Sequence, residues 1–207
     1  MPRVLSLRSL QKSYRSGVSG CSAVVRVLRH VNLDVTQGEI VGVAGAPGAG
    51  KSTLLLCAAG LLRPDAGTVE RPRSGTYVAV FPPAYRWMAV LDMISLVTRA
   101  YRPRAVRDAL DRVGLGYDLA RPVGTLSGDA LARLHIACLL VTLPVLALID
   151  GPISTLIGLL PPAGVTVVLA ARDARQAASL ATRVVVLADG VVQAQSRITL
   201  APVPRLG

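Results

Sequence analysis

Residues 45–53 read GAPGAGKST, and their spacing fits the pattern G-x-x-x-x-G-K-S/T in full. Such a stretch suits one kind of chemistry, the cradling of phosphate. Gly45, Gly48 and Gly50 let the backbone come close to an anion, with Ala46, Pro47 and Ala49 at the variable positions. Lys51 would reach the β- and γ-phosphates of a nucleotide, the Ser52 hydroxyl would bind Mg²⁺, and Thr53 completes the set. The only other lysine is Lys12, so Lys51 is not part of a general basic run. The competing reading is a glycine-rich turn that happens to carry a surface lysine. A second candidate stands where the apolar run LALI stops at Asp150. A carboxylate at the end of a buried strand next to the loop's own strand can hold Mg²⁺ through water. Otherwise it only caps the loop that follows.

These residues need strands that end at one place. EIVGVAG enters the glycine-rich loop as a strand, and KSTLLLCAAGLL leaves it as a helix. VLSLRSL and VNLDV alternate with period two before it, and AGTVE and TYVAVF read as strands after it. From about Pro83 to Leu139 the pattern turns helical, in LDMISLVTRAY, PRAVRDALDRVGL and SGDALARLHIACLLV. VLALID, GVTVVLAA and TRVVVLAD then read as buried strands, with DARQAASLA helical between the last two. Buried runs alternating with helices predict an α/β fold with a mainly parallel sheet, N-terminal antiparallel strands and a short helical insertion. The expected division is a single domain over 1–207, with 1–82 and 140–207 forming the core and 83–139 the helical subdomain.

Composition narrows the class. Apolar residues make up 52% of 207, yet no run reaches 18 uninterrupted apolar residues, and IACLLVTLPVLALID is broken by Thr142 and Pro144. No apolar signal segment opens the chain, so the expected location is cytoplasmic. Cys21, Cys57 and Cys138 form no framework or zinc spacing, and the last two sit in apolar stretches that read as core. The net charge of +11 suits an anionic partner, but the arginines are scattered and aromatic residues are few, which argues against a nucleic-acid surface. Codon composition alone would also give an arginine-rich chain.

The ordered set of motifs resembles the nucleotide-binding domain of ABC transporters over nearly the whole length. Tyr14 stands where that family stacks an aromatic ring on adenine. QGEIVGVAGAPGAGKSTLLLCAAGLLRPDAGTV is similar to the family's phosphate-loop segment. Leu126, Ser127, Gly128, Asp129 and Ala130 occupy its LSGGQ signature, and PVLALIDGPISTLI its Walker B strand and D-loop. The resemblance implies Mg-ATP as ligand, sandwiched between one chain's phosphate loop and another chain's signature. It implies a transmembrane permease as partner, moved by closure of that sandwich, and a peripheral place on the cytoplasmic face. A soluble relative acting on DNA or the ribosome would carry tandem cassettes or long coiled-coil insertions, and neither is present.

The chain departs from the family where hydrolysis should happen. Gly151 holds the place of the glutamate that activates water, and the only glutamates are Glu39 and Glu70. Arg172 holds the place of the switch histidine, while His30 and His135 lie upstream. Pro82 and Pro83 stand where a glutamine is expected, and Ile157 replaces the D-loop aspartate. Loss of a base or its partner commonly costs about 10²–10⁴-fold in rate. The expectation is therefore a subunit with weak or absent hydrolysis, paired with a second ATP-binding subunit, a heterodimer being favoured over a homodimer. The alternative is a non-catalytic ATP-sensing regulatory subunit. Three side chains have two readings each. Asp129 either opposes the γ-phosphate of a partner's nucleotide or is solvated at a helix N-terminus. Arg172 either holds γ-phosphate or lies on the surface beside a capping Asp173. Trp87 either packs inside the helical region, the favoured reading, or joins a surface for the membrane partner.

Overall fold

The computed structural model describes residues 1–16, 23–79, 86–99, 103–116, 119–151 and 165–198. Pro82, Pro83, Ile157 and Cys21 lie outside these, and so do the readings placed on them. In chain order the elements are β1 (Arg3–Ser16), β2 (Ala23–Thr36), β3 (Ile40–Ala44), α1 (Lys51–Ala59), β4 (Ala66–Glu70) and β5 (Thr76–Ala79). They continue with α2 (Val90–Thr98), α3 (Pro103–Arg112), α4 (Gly128–Thr142), β6 (Leu146–Ile149), β7 (Thr166–Ala171), α5 (Ala174–Ala178), β8 (Arg183–Ala188) and β9 (Val191–Arg197).

Two sheets result. β2-β1-β4 is antiparallel, and β5-β6-β7-β3-β8-β9 is parallel except for β9. Period-two alternation sends each strand of the larger sheet into two cores. Leu146, Leu148, Val41 and Val43 join Leu54 and Leu55 of α1 and the apolar face of the small sheet on one side. Ala147, Ile149, Val167 and Leu169 join Met93, Leu110 and Leu134 of α2–α4 on the other. With both faces covered, the central strands read as continuous apolar runs, as the sequence suggested. Cys57 and Cys138 are buried in these two cores.

The structure corrects three expectations. First, the strand of Asp150 is not next to the strand of the phosphate loop: β7 lies between β6 and β3, paired in parallel with both. Strand order depends on where crossovers land, which no local pattern reveals. Second, α1 stops at Ala59, because Gly60 turns left-handed and closes the helix, leaving Leu61 exposed. Third, Trp87 does not pack inside: it is 89% exposed, while its neighbour Met88 rests against the core.

Arg183 ties the sheets together. Its guanidinium donates to Glu39 at 2.6 and 3.1 Å, to Gln195 Oε1 at 2.8 Å, and to the Asp34 carbonyl. Burial pushes the Glu39 carboxyl up, but Arg183 and the Thr36 amide outweigh this and hold it below the ordinary carboxylate value.

Candidate functional site

The glycine-rich loop bridges the end of β3 and the start of α1. Gly50 caps α1 with φ 99°, and a Cβ there would stand 2.9 Å from the Val27 carbonyl oxygen, so the loop turns tightly under β2. The ammonium of Lys51 donates to the Gly45 and Ala46 carbonyls at 2.7 and 2.8 Å. It thus lies across the loop's mouth, where an anion's oxygens would take over those donors. Ser52 is exposed at the helix N-terminus, where backbone N–H groups have no helical partner. Donors, cation and helix end all suit a phosphate chain.

Tyr14 stands at the rim on β1, 41% exposed, with its hydroxyl 3.4 Å from the Thr53 hydroxyl. It is held there by Asp65, which accepts from the Lys12 ammonium at 2.8 Å and from the Ser13 N–H at 2.7 Å. That hydrogen bond holds Lys12 above its ordinary pKa, and the Lys12 ammonium stands 5.9 Å from the Tyr14 ring centre. Nothing in the local pattern announced this brace, since 53 positions separate Lys12 from Asp65.

Asp150 follows the last residue of β6 and is only partly buried. With β7 intervening, it stands about 10 Å across the sheet from the loop's strand, a gap that suits an indirect contact with a metal ion rather than a direct one to phosphate. The end of β7 fills that gap. Ala171 pairs with Ala44, the last residue of β3 before the loop, so Arg172 emerges level with Gly45 and between the loop and Asp150. Its N–H donates to the Gln176 side chain at 2.9 Å, and Asp173 caps α5 by accepting from the Gln176 N–H at 2.8 Å. The Arg172 residue itself is exposed. Gly151 has φ 138°, and a Cβ there would meet nothing within 4 Å.

The stretch Leu126–Ala130 opens α4. Ser127 caps the helix by accepting from the Ala130 N–H at 3.1 Å. Asp129 is exposed, but not unpaired: Arg133, one turn on, donates to it at 2.8 Å and to the Val113 carbonyl at 2.9 Å. The i,i+4 spacing marks this pair in the sequence, and meeting an arginine is one way in which Asp129 avoids opposing phosphate. Among the described residues, no cluster of three or more His, Cys, Asp or Glu could hold a metal ion.

Comparison with known proteins agrees with this arrangement. A family model described as ABC transporter matches residues 28–154. An aliphatic sulfonates import ATP-binding protein of Nocardia farcinica is 37% identical over 191 residues, covering 84% of this chain and 76% of that protein. Another, of Pseudomonas fluorescens, is 32% identical over 223 residues, covering 98% and 80%. A zinc import ATP-binding protein of Paramagnetospirillum magneticum is 42% identical over 134 residues, covering 61% and 50%. Among solved structures, a dimeric ATP-binding cassette in a post-hydrolysis state with ADP and Pi superposes with a TM-score of 0.79 at 22% identity, over 96% of this chain and 100% of that one. At that identity the likeness shows the fold.

Proposed function

The chain belongs to the ABC transporter family as an ATP-binding domain, and from that premise we propose that it binds Mg-ATP tightly but turns it over slowly. Its complex would be an import system, since relatives at this similarity are named for import of aliphatic sulfonates and zinc. The transported molecule would be chosen by the permease it serves at the cytoplasmic face. Residues 1–82 and 140–207 act as the nucleotide-binding core, and 83–139 as the part that faces the permease. Among the described residues no helix is long and apolar enough to cross a membrane, so the crossing falls to that partner.

One observation carries the reading: three parallel strands end side by side at the site, bringing the loop, Arg172 and Asp150 to one edge. Lys51 and the loop amides hold the β- and γ-phosphates, Ser52 and Asp150 hold Mg²⁺, and Tyr14 stacks on the base. Bound Mg²⁺ would neutralise charge on the phosphates. Arg172 adds a fixed cation from the centre of the row, and a guanidinium holds phosphate without accepting a proton. No carboxylate follows Asp150, since Gly151 has no side chain to orient water. Binding without efficient turnover is the result.

Leu126–Ala130 would face the nucleotide of a second ATP-binding subunit. The Arg133 partner of Asp129 lessens the repulsion between that acid and phosphate, so closure is weakened rather than blocked. A more complete second subunit suits this chain better than a second copy, because a homodimer would lack a water-activating glutamate at both sites. The regulatory reading shares every contact and differs only in whether the assembled complex hydrolyses ATP.

The test is ATP binding and turnover by the purified chain with Mg²⁺, beside Lys51→Ala. Binding that disappears in the variant, with wild-type turnover no faster than the variant's, is the expected result. Robust turnover by the isolated wild-type chain would overturn the slow-hydrolysis reading.

A further inference from the structure

A cleft of about 360 Å³ opens beside the apex of the glycine-rich loop. One wall is β2 with Arg26 and Arg29, the second is the loop from Ala46 to Ala49, and the third is the β8–β9 turn at Asp189. Its volume is that of a small-molecule subsite, on the order of 300–1,000 Å³. Both arginines are exposed. Neither has an ion-pair partner among the described residues, and Asp189, the one acid on the walls, pairs with neither of them.

The cleft has a fixed relation to the loop and to Tyr14. Val25, on the cleft wall, is the register partner of Tyr14 on β1. The Tyr14 hydroxyl touches Thr53, at the other end of the loop from Ala46. β2 is also locked in place: the Arg29 N–H donates to the Gly190 carbonyl at 2.8 Å, and the Val27 carbonyl packs over Gly50. The strand next to Tyr14 therefore carries both arginines, and the loop residues Ala46 to Ala49 line the same cleft.

We propose that Arg26 and Arg29 bind the sugar–phosphate part of the nucleotide, as a cationic wall opposite the glycine-rich loop. The proposal rests on the nucleotide reading above and adds two binding residues to it. A guanidinium offers several N–H donors in a rigid fork, which suits the non-bridging oxygens of a phosphate chain. In a site with a single acid near the metal position, this wall supplies charge neutralisation from the protein itself.

The experiment compares ATP affinity, by titration calorimetry at several NaCl concentrations, for wild type, Lys51→Ala, the pair Arg26→Gln/Arg29→Gln, and the pair Arg26→Lys/Arg29→Lys. The glutamine pair is expected to bind ATP about tenfold or more weakly, as charge-assisted hydrogen bonds are lost. Its affinity should also depend less steeply on salt than that of wild type. The lysine pair, which keeps the charge, should recover part of the loss. Both side chains are exposed, so all variants should melt as wild type does. If the glutamine pair binds ATP as tightly as wild type while Lys51→Ala does not bind, the arginine wall is wrong and the nucleotide site stands. If wild type itself does not bind ATP, the nucleotide reading falls and this proposal falls with it.

Discussion

The proposed slow turnover rests on Gly151. Its backbone sits at φ 138°, a region that side chains rarely adopt, although a Cβ would find open space. The position therefore combines the lack of a side chain with a backbone shaped for glycine. Gly151→Glu is expected to cost on the order of 1–3 kcal/mol of stability from backbone strain alone. Provided the carboxylate reaches the attacking water, turnover should rise by about 10²-fold or more. Chemical unfolding and a phosphate-release assay on the same preparation would separate the two effects, and unchanged turnover in a folded variant would place the defect elsewhere. At this scale the sequence was informative wherever chemistry is local. The loop from Gly45 to Thr53 and the cap by Asp173 both depend on residues within a few positions. Arg133 as the counter-ion of Asp129 was legible by the same logic, while the brace from Asp65 to Lys12 was not, because it joins distant parts of the chain.

Between elements, the contact most sensitive to conditions joins β5 to α4. Tyr77 and His135 meet with hydroxyl and Nδ1 3.1 Å apart, and Cys138 lies one turn along the same helix. Burial pushes His135 down to about 3 and Cys138 up to about 12, and it raises Tyr77 well above its ordinary value. Burial disfavours charge on all three groups, so the cluster is neutral in the folded protein. In the unfolded chain His135 takes up a proton as pH falls through 6.5, while the folded protein resists until about 3. Stability supplied above the upper value is thus lost across that window, by about 1.4 kcal/mol per pH unit. His135→Leu should be less stable near neutrality, by about 1–3 kcal/mol, because the buried Tyr77 hydroxyl loses one of its partners. It should also fall less steeply than wild type from about pH 6 to about pH 4. Urea unfolding across that range reads both effects, and parallel curves would mean that His135 does not carry the slope. The existence of each element was legible from periodicity, since apolar spacing is a local record of which face is buried. Neighbourhood in the sheet was not: β7 comes after β6 in the chain yet stands between it and β3, and this brings Arg172 out between the loop and Asp150.

At the scale of the molecule, β3 is completed late. Its residues Ile40 to Ala44 pair on one side with Val167 to Ala171 and on the other with the strand that begins at Arg183. Every proposed phosphate and metal contact up to Asp150 is present in the first 151 residues, but the strand that presents the loop has no partner until those later strands arrive. A fragment ending at Gly151 should accordingly fail to bind ATP and show little cooperative unfolding. ATP binding by that fragment with wild-type affinity would contradict the dependence. During synthesis the same topology sets an order of events. The ribosome releases the glycine-rich loop long before the edge-pairing strands emerge, so the nascent chain carries Val41 and Val43 with both backbone edges unpaired. Contacts this far apart in sequence close slowly. The ability to hold a nucleotide in this sense waits for strands made well after the loop itself, and that interval is when a chaperone would have the most to hold.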